Sequence, residues 1–559
     1  MTRRSIAYYE TSLWCYTDHL SYSPGEKMAV RASAPGGSFG CRITRIGAED
    51  VVVFEERNLN AAPQPFSPTA FRDGCNWPVS FEISIDPAWP SGYYRLQLLN
   101  DGGVGEHFFV VRNDRGPKAP FALVLATNTY NAYNSWGGKC LYGTDVTVAV
   151  EPHLDTNADR SPIVSVDRPF SRYLIASPAP TRIADLTHRG FGEGAGAPQA
   201  LRDGIANFDF SLWDTAAGYM NKWEHVFARW AEREGYELAY LTQEDLRRNP
   251  NCLDGHRCYL SVGHDEYWSW TDRDCVETFV ENGGRAAFFS GNACYWQVRF
   301  ENNDRQMVGY KYDAHRDDPV MGTDQERFMT GMWADPVIGR PETQMKGTTF
   351  TRAGYSRIGL CMGARPAGYT VFNEDHWSLD GANLFYGDMF GEDVALASYE
   401  MDGCAFKLDD GLPVPTGEDG ADPAMEIIAL APASLGESEK THLPKGLGHT
   451  DASLVAERIR GADTAENRAA IRRAASAIVS FKKGRGEVFS TSGTEWAWGL
   501  DAREPYTQKI TQNVLRRLGG AAHFASRLGS MLARCRRAFS QRRLAGPFRC
   551  RYSRPRWSA

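Results

Sequence analysis

"CYLSVGHDEYWSW", residues 258–270, joins a short apolar segment to a dense group of polar and aromatic side chains. The segment CYLSVG predicts a buried strand, and similar strands are predicted at FALVLAT (121–127), YELAYL (236–241) and RAAFFSG (285–291). Between them, segments with helical spacing of apolar residues predict helices. Strands that alternate with helices are typical of a doubly wound α/β sheet.

Local signals place several helix ends. Thr242, with Asp245 at the third helical position, predicts an N-cap for the helix that begins at TQEDL. Thr271 is predicted to cap the helix TDRDCVETFVENGG, which ends at a glycine pair. The segment DTAENRAAIRRAASAIVSF, residues 463–481, is predicted to form one helix before the strand GEVFSTSG.

The length of 559 residues predicts two or three domains. Residues 1–115 contain short apolar runs separated by turn signals, which predicts a β-sandwich of immunoglobulin-like type. After a linker rich in proline, glycine and charge, residues 118–520 are predicted to form the α/β catalytic domain. Residues 521–559 contain ten Arg and no Asp or Glu, and predict a basic, disordered tail. A tail that contributes nothing to folding is favoured over a flexible anion-binding arm.

Composition excludes several classes of function. The formal net charge of −7 gives no indication of a nucleic-acid partner. No apolar run reaches the roughly eighteen residues of a membrane span, and the start of the chain lacks the apolar core of a signal peptide, so a cytoplasmic protein is expected. The 12 Cys include no CxxC pair, which favours reduced thiols over disulfides or a zinc knuckle.

Polar side chains follow the predicted strands where each strand ends. His264 and Glu266 follow CYLSVG, Asn292 follows RAAFFSG, and Glu400 follows a later strand. Ligands of open α/β sheets bind at the carboxyl ends of the strands, so these side chains are expected to meet in one crevice. Glu400 is a candidate general base, and Asn292 could donate to a developing oxyanion.

The spacing of His264 and Glu266 places both side chains on one side of an extended strand end, where they could reach one ion or substrate. Tyrosines in NTYNAYNSWGG, residues 128–138, offer hard oxygen ligands that suit a trivalent ion such as iron. Ordinary polar loops would explain both segments without any chemistry. Cys294 with His264 is an alternative as an amidase nucleophile, although a core cysteine is the simpler interpretation.

The chain resembles the large (beta) subunit of N,N-dimethylformamidase and its relatives. The resemblance covers about residues 118–515 and depends on segments that occur in the same order; the most specific are GHDEYW and SGNACYWQVRFE. The others are TYNAYNSWGGKCLY, VSVDRP, KWEHVFARWAEREGYELAYLTQEDL and SYEMDG. This resemblance implies a catalytic domain of glutamine-amidotransferase-like type and hydrolysis of an N-substituted formamide, or a similar small amide, to formate, or another acid, and an amine.

The same resemblance implies a mononuclear ferric iron held by two tyrosines and a glutamate. Glu266 would be the glutamate ligand and Tyr133 the first tyrosine, while His264 and Asn292 would contact the substrate or support the ligands. Glu400 would activate the water. A small partner subunit and a homo-oligomer are also implied.

The second tyrosine ligand departs from the family pattern. Relatives resemble Arg-Pro-Tyr where this chain has Phe170, and Tyr173 is the predicted replacement. Tyr130 and Tyr142 are further candidates. If no tyrosine has replaced the lost one, the chain would be a non-catalytic binding protein.

Overall fold

A computed structural model describes residues 9–101, 103–112, 114, 116–142, 160–176, 217–355, 368–435, 451–472 and 474–520. The fold is mixed α/β and consists mostly of sheet. The predicted basic tail, residues 521–559, lies outside this description, as does the side chain of Tyr173. No helix among the described ranges is long and apolar enough to cross a membrane.

Near the N-terminus, two sheets face each other across a shared apolar core, as predicted for a sandwich. Met28 and Val30 from one sheet and Ile43 and Leu96 from the other belong to this core. The strands of the first sheet are Trp14–Thr17, Lys27–Ser33 and Phe81–Ser84. Those of the second, in order across the sheet, are Ser21–Tyr22, Gly103–Val111, Gly92–Asn100, Ser38–Ile46 and Val51–Asn60. The immunoglobulin-like topology stays a prediction.

One half of the central sheet is parallel, and it consists of the strands predicted from the sequence. Its order is Leu238–Thr242, Phe121–Leu125, Cys258–His264, Arg285–Gly291 and Gly486–Ser490. The residues of Phe121–Leu125 alternate between the two faces: Phe121, Leu123 and Leu125 pack in one core cluster, whereas Ala122 and Val124 pack in another. Helices on both faces cover this half, as expected for buried parallel strands.

The other half of the sheet is antiparallel, and the sequence did not predict this. The strands Ala474–Lys483, Glu426–Ala433, Tyr369–Val371 and Met389–Phe390 continue the sheet, and Glu400–Gly403 joins Thr349–Tyr355 to Ala474–Lys483. A smaller sheet contains Ile163–Ser165, Gln306–Val308, Trp296–Glu301 and Tyr267–Ser269, and a hairpin contains Phe406–Asp409 and Leu412–Pro415. The sheet is therefore mixed, and its glutamine-amidotransferase-like character stays a prediction.

The helices confirm one predicted cap and correct two other predictions. Thr242 and Asp245 form a capping box. The next helix is capped by Ser269 with Asp272, not by Thr271, because the helix begins two residues earlier than predicted. The longer helices are Thr127–Tyr133, Trp223–Arg233, Gln243–Arg248, Trp270–Glu281, Asp451–Arg460, Ala465–Arg472, Trp496–Asp501 and Pro505–Gly519. Shorter helical turns are Ala70–Asp73, Arg172–Ile175, Lys311–Asp313, Ala314–Asp317, Glu326–Phe328, Thr343–Lys346 and Trp377–Leu379.

The predicted single helix over residues 463–481 is wrong in its second half. Only Ala465–Arg472 is helical, and Ala474–Lys483 is a strand that pairs with Glu426–Ala433 and Gly486–Ser490. Pairing on both edges and burial of Ile478, Val479 and Phe481 override the local helical pattern.

The N-terminal sheets contact the α/β region directly. Arg45 Nη2 lies 2.7 Å from Glu232 Oε1, and the rings of Tyr93 and Tyr219 stack with centroids 4.0 Å apart. Tyr93 and Phe108 also belong to the core cluster that covers one face of the central sheet. The N-terminal sheets therefore contribute side chains to the same apolar core that lies beside the candidate site.

Candidate active site

Glycine shapes the strand end that carries Glu266. Gly263 has φ +74°, and a β-carbon there would lie 2.3 Å from Trp223 Cβ, so a larger residue would collide with the covering helix. Gly263 is the next-to-last residue of the strand Cys258–His264, so it directly precedes His264 and lies three residues before Glu266. Both of these side chains are buried, with exposures of 1% and 3%.

Glu266 is surrounded by phenols. Its Oε2 accepts a hydrogen bond from Tyr133 OH at 2.8 Å, and its Oε1 accepts one from Tyr142 OH at 2.9 Å. Tyr267 OH donates to Tyr142 OH at 2.8 Å. One buried carboxylate and two tyrosine oxygens from three separated positions therefore form a compact group of oxygen donors.

In the absence of a bound cation, the surroundings of Tyr133 and Tyr142 keep both phenols protonated. Burial, and then the negative charge of Glu266, raise the pKa of Tyr133 and of Tyr142 well above the ordinary value. Burial opposes ionisation of Glu266 itself, but His264, together with Lys311 and the hydrogen bond from Tyr133, lowers the pKa of the carboxyl. A multivalent cation would reverse the effect on the phenols, because it stabilises their ionised form.

His264 connects two carboxylates. Its Nε2 lies 2.8 Å from Glu400 Oε2 and 3.3 Å from Glu266 Oε2. Burial alone would lower the pKa of His264, but the carboxylates of Glu400 and Glu266 raise it well above its usual range. The three side chains can share and transfer a proton at His264 Nε2.

Asn292 lies at the end of the neighbouring strand. His264 is in register with Gly291, so Asn292 occupies the next position along that edge. Asn292 has φ 47°, and its buried Oδ1 accepts no hydrogen bond from the described residues. A β-carbon at Gly291 would lie 2.3 Å from Glu400 O, so glycine there allows the strand of Glu400 to approach.

Two ionisable residues near this group were not predicted from the sequence. Lys311 Nζ is buried 3.1 Å from the ring centroid of Tyr142 and 5.3 Å from that of Trp296. Burial and then the charge of Glu400 raise the pKa of Asp451 to about 7. Both residues lie in segments whose local pattern gives no signal of chemistry.

Comparison with known proteins shows the family of this chain. The family described as "N,N-dimethylformamidase beta subunit-like, C-terminal" matches residues 41–511. The chain belongs to this family. Two relatives, each named N,N-dimethylformamidase beta subunit, come from Alcaligenes sp (23% identical) and Paracoccus aminophilus (24% identical). Each match covers 257 residues, which is 44% of this chain and 31% of the relative.

In this member of the dimethylformamidase family, the tyrosines predicted as metal ligands differ in whether they contact Glu266. Tyr133 contacts Glu266, as the prediction requires. Tyr142, named only as a further candidate, makes the equivalent contact with the other oxygen. Tyr130 instead donates to Glu224, and the side chain of Tyr173 lies outside the described residues.

Phe170 and Cys294 both lie in apolar surroundings. Phe170 packs against His107 and Phe108, with ring centroids 5.5 and 5.3 Å apart. Cys294 is fully buried in the core cluster on the opposite face of the sheet from Tyr133. Burial raises the pKa of Cys294 well above the ordinary value, so the residue is held as a thiol, which is a poor nucleophile.

Proposed function

We propose that this chain is an iron-dependent amidohydrolase that converts an N-substituted formamide, or a similar small amide, to formate, or another acid, and an amine. The observation that carries the proposal is the buried carboxylate of Glu266, which has a tyrosine hydroxyl on each oxygen and His264 beside it. Membership of the dimethylformamidase family supports the same class of reaction.

The donors around Glu266 fit a hard trivalent ion. Among the described residues, no group of three or more histidine, cysteine and carboxylate side chains has the arrangement of a metal site. An ion at Glu266 would therefore depend on phenol oxygens, which are hard ligands suited to ferric iron. We assign Glu266 and Tyr133 as ligands, with the second tyrosine either Tyr142 or Tyr173.

The remaining side chains would provide proton transfer and orientation. A bound ferric ion would serve as a Lewis acid toward the amide carbonyl. Glu400, with Oε2 2.8 Å from His264 Nε2, would take the proton from the attacking water. The protonated His264 could then deliver a proton to the leaving amine. The amide of Asn292 would hydrogen-bond to the oxyanion that forms at the carbonyl.

Partners are proposed from the relatives. Both are named as beta subunits, so we propose that this chain also functions with a small partner subunit and as an oligomer. The matched segment spans less than a third of each relative, which leaves their further parts without a counterpart in the alignment.

The test combines metal content, visible spectrum and turnover of N-substituted formamides. About one iron per chain, a tyrosinate-to-iron absorption band and release of formate are expected. Tyr142→Phe and Tyr173→Phe then identify the second ligand, because only loss of the true ligand should remove or shift the band. Tyr130→Phe is the matched control, since Tyr130 donates to Glu224 instead.

The alternatives give different results in the same experiment. A protein that remains iron-free and inactive after growth with ample iron would contradict the proposal and favour a binding protein with a decayed site. Iron-free protein with amidase activity that Cys294→Ala abolishes would favour the cysteine amidase.

A further inference from the structure

The turn that presents Asn292 is strained. Asn292 and Cys294 have φ 47° and 56°, in the left-handed region that residues other than glycine avoid. Such conformations persist only where the surrounding structure holds them. The turn also fixes the backbone of the site, because Tyr295 N donates to Glu266 O at 2.9 Å.

A completely buried ion pair lies against this turn. Lys346 Nζ is 2.8 Å from Asp402 Oδ2, and both side chains are 0% exposed. The same oxygen accepts a hydrogen bond from Ala293 N at 3.3 Å, in the middle of the turn. Lys346 Nζ also donates to Thr348 Oγ1 at 3.1 Å.

One member of the pair, Asp402, lies on the strand that carries Glu400. Asp402 is two residues from Glu400 in the strand Glu400–Gly403. The strand is joined to the turn at a second place, where Glu400 O closely approaches Gly291. A shift of Asp402 would therefore move Asn292 and Glu400 relative to each other.

Stability alone does not account for a charged pair at this position. Buried ion pairs lose so much hydration that apolar residues of similar volume often replace them without loss of stability. We propose that Lys346 and Asp402 are positioning residues, which hold the Asn292 turn and the Glu400 strand in the geometry needed for hydrolysis. This inference rests on the proposed amidohydrolase function.

The decisive variant is K346M/D402L, which removes both charges and the acceptor for Ala293 N. We expect kcat to fall about 10- to 100-fold with KM within about twofold, iron content unchanged and the fold retained. K346M/D402N should recover part of kcat, because the amide oxygen can still accept from Ala293 N. Arg45→Met is the control, since it breaks the ion pair with Glu232 at the N-terminal sheets.

A fall in kcat no larger than that of Arg45→Met, or equal kcat in both double variants, would overturn the proposal. If K346M/D402L does not fold, Asp402→Glu replaces it: the charge is kept but the carboxylate is displaced by one methylene. A reduced kcat with unchanged KM is then expected, and an unchanged kcat would overturn the inference.

A crystal structure of K346M/D402L tests the positioning role without any measurement of activity. If the double variant does not fold, the crystal structure of the Asp402→Glu variant is compared instead. Displacement of residues 292–294 supports the positioning role, and an unchanged turn contradicts it. If the wild-type chain hydrolyses no formamide, the proposed function fails, whereas the role of Lys346 and Asp402 is still decided by that structure.

Discussion

The two halves of the central sheet contribute to the candidate site in different ways. In the parallel half, the strands Cys258–His264 and Arg285–Gly291 end at the same edge and present His264, Glu266 and Asn292 together. In the antiparallel half, neighbouring strands end at opposite edges, so Glu400 reaches His264 only through the particular register of its strand. Shared strand direction brings the first group together, whereas the position of Glu400 depends on the register of one antiparallel strand.

The proposed metal ligand Glu266 belongs to the parallel half, and Glu266→Gln is the variant with the largest expected effect. We expect loss of iron and at least about a thousandfold loss of turnover, because the variant removes the one carboxylate among the proposed oxygen ligands. Metal analysis and formate release measure both effects. Glu224→Gln is the matched control, since Glu224 is also a buried glutamate bonded to a tyrosine. Retained iron in Glu266→Gln would contradict the assignment.

Glu400→Gln tests the contribution of the antiparallel half. Loss of the general base should lower kcat by about 10²- to 10⁴-fold while iron content stays the same. Single-turnover formate release and metal analysis separate the two effects. Cys294→Ala should keep iron and full activity in the same assays. Loss of iron in Glu400→Gln would mean that the two halves do not divide binding and proton transfer as proposed.

The smallest expected effect concerns Glu224, which lies on the helix Trp223–Arg233 that covers the parallel half. Its ionisation should change the free energy of unfolding. Burial raises the pKa of Glu224 from 4.5 to about 8, so folding favours its neutral form. Its contribution to stability is complete below pH 4.5 and is lost as pH rises through about 8. Relative to Glu224→Gln, the wild type should therefore lose up to roughly 1.4 kcal/mol of unfolding free energy per pH unit across this window.

Urea unfolding between pH 5 and pH 8 measures this difference. The exposed Glu418→Gln should leave the pH profile of the wild type unchanged. Parallel profiles for wild type and Glu224→Gln would show that Glu224 is ionised in the folded protein at neutral pH, and that its burial does not control its charge.

Much of the parallel half could be predicted from the sequence. The apolar runs gave its strands, and the capping box of Thr242 and Asp245 was read correctly because it depends on residues three apart. The antiparallel half was predicted less well: Glu400, which was predicted to follow a strand, is the first residue of the strand Glu400–Gly403. Residues 474–483 carry a helical pattern that pairing with distant strands overrides.

The sequence by itself determined the strands of the parallel half, the capping box at Thr242 and the position of Glu266 at a strand end, since these depend on neighbours along the chain. Only the tertiary structure decided that Tyr142 lies on Glu266, 124 residues away, and that Lys346 pairs with Asp402, 56 residues away. Such contacts arise from the packing of separate elements around a common core. Local periodicity and capping carry no record of that packing, because they act over only a few residues.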